Sequence, residues 1–258
     1  MKNCWIIGAS SGIGMELVKK FYENDYNVII SARSLSDLQN LKTEIEVDNK
    51  NSNKEIFIAN LDVANLDNFS EALKNILQKF VKIDLVIFAS AIYERMEAEN
   101  FDLALAKKIM EVNFNGFLNL LHLILPHFLQ QKSGHIACIA SVAGYSGLPQ
   151  SFAYGASKSA LINLCEGIYP ELKYKNIDLS IINPGFVKTR LTDKNNFEMP
   201  FIITPKQASQ YIYDGIIANK FEIHFPKKFT FILKFLRILP YRIYLKIITK
   251  IFQQNLKK

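Results

Sequence analysis

Seven apolar runs punctuate the first 225 residues, at 4–7, 27–31, 55–59, 85–89, 135–140, 178–182 and 222–225. Each is four to six residues long and rich in Ile, Val, Leu or Phe, which predicts strands. Between them apolar residues recur every three or four positions, predicting helices over about 13–24, 35–47, 66–80, 100–131, 152–174 and 205–219. Residues 46–54 read as a polar loop, and no internal repeat is visible. Near-continuous apolar strands that alternate with helices imply a mostly parallel sheet covered on both faces, a doubly wound α/β fold. Ligand is then expected at the carboxyl ends of the strands.

With 258 residues, 49% hydrophobic and 21% charged, the chain can bury a sizeable core as one α/β domain with an appendage. Cys4, Cys138 and Cys165 are scattered and odd in number, which fits small buried residues in a reducing, cytoplasmic setting better than a disulfide framework. No Cys/His spacing suggests zinc, so no metal is expected. The chain enters its first strand at once, so no signal peptide is expected either. No uncharged apolar run reaches about 18 residues, which argues against a simple membrane-spanning helix.

The net charge of +7 is unevenly placed. Residues 220–258 hold ten Lys or Arg and a single acid, Glu222, whereas the other 219 residues hold 21 bases and 23 acids. A near-neutral body offers no basic face for nucleic acid. A domain boundary is expected at 225/226, with residues 1–225 as the main domain and 226–258 as a basic extension.

Gly8-Ala9-Ser10-Ser11-Gly12-Ile13-Gly14 sits where the first strand gives way to the first helix. Glycines there let the backbone turn sharply and approach a pyrophosphate, whose charge the helix N-terminus meets. Gly8, Ser10, Ser11, Gly12, Ile13 and Gly14 are thus candidate cofactor contacts of a Rossmann-like unit. The same residues spell the G-x-S-x-G of a serine hydrolase, with Ser10 as nucleophile. That alternative needs a well-placed histidine, and neither His135 nor His224 falls at a strand end. Past the second strand, Ala32 stands where an acid would accept hydrogen bonds from an adenosine ribose, and Arg33 adds a cation, which favours NADP over NAD. Asp62 and Val63, past the third strand, are candidates to meet the adenine.

Tyr154-Gly155-Ala156-Ser157-Lys158 places a phenol and an ammonium one helical turn apart, with Ser141 thirteen residues earlier. A free phenol titrates near pH ~10. A neighbouring cation and a hydroxyl bonded to the oxygen are expected to pull that value toward neutrality, giving a proton donor and acceptor for a carbonyl or alcohol oxygen.

Taken in order, the glycine turn, Asn113, Ser141, Tyr154, Lys158 and Pro184-Gly185 resemble the short-chain dehydrogenase/reductase family over roughly residues 1–225. The resemblance implies Tyr154 as general acid/base and Lys158 as the group that lowers its pKa and binds the nicotinamide ribose. It implies Ser141 as the group orienting the substrate oxygen, and Asn113 as support for a water-linked proton path. Pro184, Gly185, Val187 and Thr189 resemble the segment facing the nicotinamide carboxamide. Family members usually read Asn-Ala-Gly after the fourth strand, where this chain has Ala89-Ser90-Ala91. Ala89 is kept as a cofactor contact, and Ala91 narrows the approach.

The reading is an NADP-dependent oxidoreductase acting on a small carbonyl or alcohol. The alternatives are a catalytically silent NADP-binding sensor or interaction protein on the same fold and, behind it, the hydrolase. Substrate contacts are expected from 143–152 and from a mobile lid at 191–204, with Tyr145, Leu148, Phe152, Phe197 and Phe201 suggesting an apolar or lipid-like substrate. The tail repeats the amphipathic pattern on either side of Pro240, which should break it. Basic amphipathic helices can lie in a membrane interface, so residues 226–258 are expected to contact the inner face of a membrane peripherally. A homo-oligomer is the other partner considered.

Overall fold

β1 (Lys2–Ile7) shows how the pattern builds the sheet. Trp5 and Ile7 enter one core while Cys4 and Ile6 enter another, all fully buried. Residues of a strand alternate between faces, so a strand apolar at every position must be covered twice. A computed structural model describes residues 1–49, 52–194 and 197–256. Its other strands are β2 (Tyr26–Ser31), β3 (Ile56–Ile58), β4 (Leu85–Phe88), β5 (Gly134–Ile139), β6 (Ile177–Pro184) and β7 (Glu222–Phe225). They pair in parallel throughout, in the order β3-β2-β1-β4-β5-β6-β7. The order reverses between β1 and β4, which opens a crevice at the carboxyl ends there.

The helices are α1 (Gly12–Glu23), α2 (Leu35–Asp48), α3 (Leu66–Lys79), α4 (Leu103–Met110), α5 (Gly116–Gln131), α6 (Phe152–Tyr174), α7 (Pro205–Ile217), α8 (Lys227–Arg237) and α9 (Tyr241–Leu256). Leu17 and Phe21 of α1, Leu38 of α2 and Ile212 of α7 pack on the Cys4 face. Phe69 of α3, Phe117 and Phe128 of α5 and Leu161 of α6 pack on the Trp5 face. The three cysteines are free and buried.

Two expectations need correction. The stretch 100–131 is not one helix. Asp102 accepts a hydrogen bond from the Leu105 amide at 2.9 Å, so α4 starts only at Leu103. A π-helical turn at Glu111–Asn115 then widens the coil before α5. The polar loop begins later than 46, because α2 runs to Asp48; Lys50 and Asn51 lie outside the described residues. Past β7 the tail forms α8 and α9 on either side of Pro240, the break its position predicts.

Candidate active site

The carboxyl ends of the strands frame a cleft of about 400 Å³. The β1–α1 turn forms its floor. Gly8 holds φ +91° and Gly12 φ +56°, conformations that favour glycine. The Gly8 and Ala9 amides donate to the Ser31 carbonyl at 2.8 and 3.0 Å, tying the turn to β2. A Cβ on Gly14 would lie 2.0 Å from the Gly8 oxygen, so only glycine lets α1 begin so close to the strand. Ser11 caps α1 without a side-chain hydrogen bond, so its hydroxyl does not occupy the first-turn amides.

Every residue named above for the cofactor lines this cleft: Gly8, Ser10, Ser11, Gly12, Ile13, Gly14, Arg33, Asp62, Val63, Ala89, Pro184, Gly185, Val187 and Thr189. So do Ser141, Tyr154 and Lys158. Asn113 does not. Arg33 is exposed at the rim, where Asn60 holds the loop by donating to the Ala32 and Arg33 carbonyls at 2.6 and 3.1 Å.

Ser141 lies two residues past β5 and places its hydroxyl beside the Tyr154 phenol, close enough to lower its pKa. Its Oγ also accepts from the Ala143 amide at 3.1 Å, which fixes the side chain. One turn along α6, Lys158 is almost wholly buried, with Nζ 5.6 Å from the centre of the Tyr154 ring and donating to the Ile139 carbonyl at 2.9 Å. Tyr93 packs edge-on against Tyr154, ring centres 5.0 Å apart.

The expected pull of Tyr154 toward neutrality does not occur in this arrangement. Burial raises the phenol to about 12, and the neighbouring Ser141 hydroxyl offsets only part of that. Burial also lowers Lys158 to about 8. Each group is thus driven toward its neutral form, because a dry site disfavours charge and the ammonium faces a backbone carbonyl rather than the phenol oxygen.

Asn113 is fully buried in the π turn. Its Oδ1 accepts from the Ile92 amide at 2.8 Å, while Nδ2 donates to the Ile92 carbonyl at 3.0 Å and to Ser157 Oγ at 3.1 Å. Ser157 in turn donates to the Tyr154 carbonyl at 2.7 Å. The amide staples the post-β4 loop to the helix that carries Tyr154 and Lys158. Sequence reasoning passed over Ser157, although it stands next to Lys158.

Other expectations shift. Tyr145 is buried and donates to Glu222 Oε1 at 2.7 Å, away from the cleft; β7 supplies an acid its apolar surroundings did not advertise. Leu148, Phe152, Phe197 and Phe201 are not among the cleft-lining residues, whereas Ile92 and Leu191 are. Phe197 and Phe201 pack against Phe186 and Phe229, with ring centres 5.9 and 6.1 Å apart. Within the 191–204 segment, Lys194 donates to the Tyr93 carbonyl at 3.1 Å and pairs with Glu94. Asn195 and Asn196 lie outside the described residues. Asp37 and Arg190 were also missed and line the cleft.

The hydrolase alternative lacks the histidine it needs in the cleft. His135 is bonded to Ser180 at 2.8 Å and His224 to Thr230 at 2.6 Å, and neither lines the cleft. Among the described residues no group of three His, Cys, Asp or Glu is placed to hold a metal.

Residues 2–199 match the family model for short chain dehydrogenases. The chain belongs to the short-chain dehydrogenase family. It is accordingly an oxidoreductase of the class that acts on alcohol and carbonyl groups. It is 28% identical over 235 residues to an uncharacterized oxidoreductase of Myxococcus xanthus, covering 91% of both chains. It is 31% identical over 192 residues to human dehydrogenase/reductase SDR family member 7, covering 74% of this chain and 57% of that protein's length. Among solved structures, ElxO with NADP bound is 25% identical with a TM-score of 0.75, covering 86% of this chain and 97% of that one. A short-chain dehydrogenase from Sphingobium yanoikuyae in complex with NADPH shares the fold at a TM-score of 0.79 and 19% identity, over 88% of this chain and 89% of that one. A Burkholderia phymatum relative in complex with NAD does so at 0.79 and 20%, over 86% and 88%.

Proposed function

We propose that this enzyme reduces a carbonyl on an apolar substrate, prefers NADPH, and uses Tyr154 as the proton donor. The observation that carries the reading is the Tyr154 hydroxyl beside Ser141 in a cleft shared with Lys158 and the glycine turn. The nicotinamide cofactor, when bound, supplies the hydride. The residues present fit it. Gly8, Gly12 and Gly14 keep side chains away from the turn, and the first amides of α1 can receive a pyrophosphate. Pro184, Gly185, Val187 and Thr189 form the wall that would face the nicotinamide, with Asp62 and Val63 at the adenine end.

Ser141 would hold the substrate oxygen beside the Tyr154 hydroxyl. With its pKa at about 12, Tyr154 keeps its proton at neutral pH and is ready to give it to that oxygen. Lys158, at about 8, is still largely an ammonium at neutral pH and would balance the charge left on the phenol oxygen. Ile92 and Leu191 supply an apolar wall for the substrate.

Arg33 is the group that would meet a 2′-phosphate, and a hydrogen bond to a charged group contributes ~1.5–3 kcal/mol. Arg33→Ala should therefore weaken NADPH binding by roughly tenfold or more and leave NADH nearly unchanged. Equal losses for both nucleotides would contradict the preference. A panel of ketones and aldehydes, long-chain members included, should give NADPH oxidation with at least one. Tight NADPH binding without turnover on any would instead make the chain a cofactor sensor.

A further inference from the structure

The two C-terminal helices carry apolar residues on the outside as well as the inside. In α8 the inward side is satisfied by the body, with Thr230 buried and Phe229 stacked on Phe186 at 5.5 Å between ring centres. Facing outward, Phe231, Phe235 and Ile238 recur at turn spacing and are 59%, 59% and 76% exposed. A helix that only packs on its own domain places polar residues there. The same inversion continues in α9. Tyr244 is buried and donates its hydroxyl to the Gly147 carbonyl, while Tyr241, Ile243 and Leu245 stand in solvent.

Charge follows the same surface. Residues 226–258 hold nine Lys or Arg and neither Asp nor Glu. In α9, Arg242, Lys246 and Lys250 make one exposed row at four-residue spacing. Among the described residues, only Lys234 of this segment is ion-paired, with Glu222. A second copy of the tail would bring nine like charges against nine. An anionic lipid surface offers what the segment lacks, an apolar boundary beneath a sheet of negative headgroups.

We infer that α8 and α9 lie on an anionic bilayer surface, with the outward Phe, Ile and Tyr residues in the headgroup–acyl boundary and the bases against the headgroups. No described helix is long and apolar enough to cross a membrane, so the contact is parallel to the surface. On its body-facing side the tail lies near the cleft, because the inward Phe229 touches Phe201, 50% exposed, and Gly147, which accepts from Tyr244, lies in the loop after Ser141. Docking would bring that side of the protein to the lipid. On the reading of the cleft given above, a lipid-dissolved carbonyl would then enter from the bilayer.

The test needs no turnover, so its failure is separate from any failure of the enzymatic reading. Full-length protein is sedimented with vesicles of phosphatidylglycerol and phosphatidylcholine, and with vesicles of phosphatidylcholine alone, at about 0.05 and 0.5 M salt. Two triple variants are run beside it: Arg242→Glu, Lys246→Glu, Lys250→Glu, and Phe231→Ser, Phe235→Ser, Ile238→Ser. Binding should be confined to anionic vesicles, weaken at high salt, and fall by more than about 100-fold in the charge-reversed variant. The serine variant should lose binding as well, with thermal stability and NADPH affinity kept in both. Absence of binding to anionic vesicles, or binding indifferent to both variants, overturns the inference. It is also overturned if the serine variant converts an oligomer to a monomer in size-exclusion chromatography, since a second copy would then cover the face.

Discussion

Replacing Asn113 by alanine separates two roles that one side chain could play. Its three hydrogen bonds, at 2.8, 3.0 and 3.1 Å, join the Ile92 backbone to Ser157. After Asn113→Ala, Ser157 keeps its bond to the Tyr154 carbonyl, but the Ile92 amide and carbonyl lose their partners. A buried backbone group left unpaired costs ~1–3 kcal/mol. Ile92 is only half-buried, so water replaces part of the loss. The low end for each group plus a small cavity gives about 2–4 kcal/mol. In a chain of this size, ~1 kcal/mol shifts Tm by roughly 2–4 °C, so a fall of roughly 4–16 °C is expected. Because Ile92 lines the cleft, KM for the cofactor should rise along with it. Differential scanning fluorimetry and steady-state kinetics on one preparation read both effects. A Tm within about 2 °C of wild type, together with a collapse of kcat, would refute the staple and place Asn113 in proton transfer.

Two further predictions concern pH. Lys158 sits at about 8, so kcat/KM for reduction should be level below that value and fall about tenfold per pH unit above it as the ammonium is lost, while Tyr154 at about 12 adds no limb. A profile level to about pH 10 would remove Lys158 from the chemistry. His135 is held near 4 by burial, against an ordinary value of 6.5. Its folded pKa is depressed, so the unfolded chain takes up the extra proton. Stability is whole above about 6.5, declines as pH falls, and by pH 4 has lost about 3 kcal/mol on this account. Denaturant titrations of His135→Gln from pH 7 to 4 should show a shallower loss than wild type; parallel losses would assign the acid sensitivity elsewhere.

What could be read from the sequence was mostly what local chain geometry dictates. Gly8, Gly12 and Gly14 announce a tight turn because no other residue fits there, and the four-residue step from Tyr154 to Lys158 follows from helix pitch. Alternating cores were legible for the same reason, since β1 is apolar at consecutive positions. Contacts set by tertiary folding were not. Nothing near Asn113 in the chain reveals that its amide reaches Ile92 and Ser157, or that a π turn puts it there. Tyr145 read as pocket-facing, but its partner Glu222 lies 77 residues away. The Tyr154 expectation went astray because spacing shows the cation's proximity and hides the burial that outweighs it.

Turnover by Tyr154→Phe tests the central claim most directly. The variant keeps the ring against Tyr93 and removes only the hydroxyl beside Ser141. With a substrate that the wild type reduces, NADPH oxidation should fall by about 10²–10⁴-fold while NADPH affinity stays within a few-fold of wild type. Retention of most of the turnover with the cofactor still bound would contradict the account.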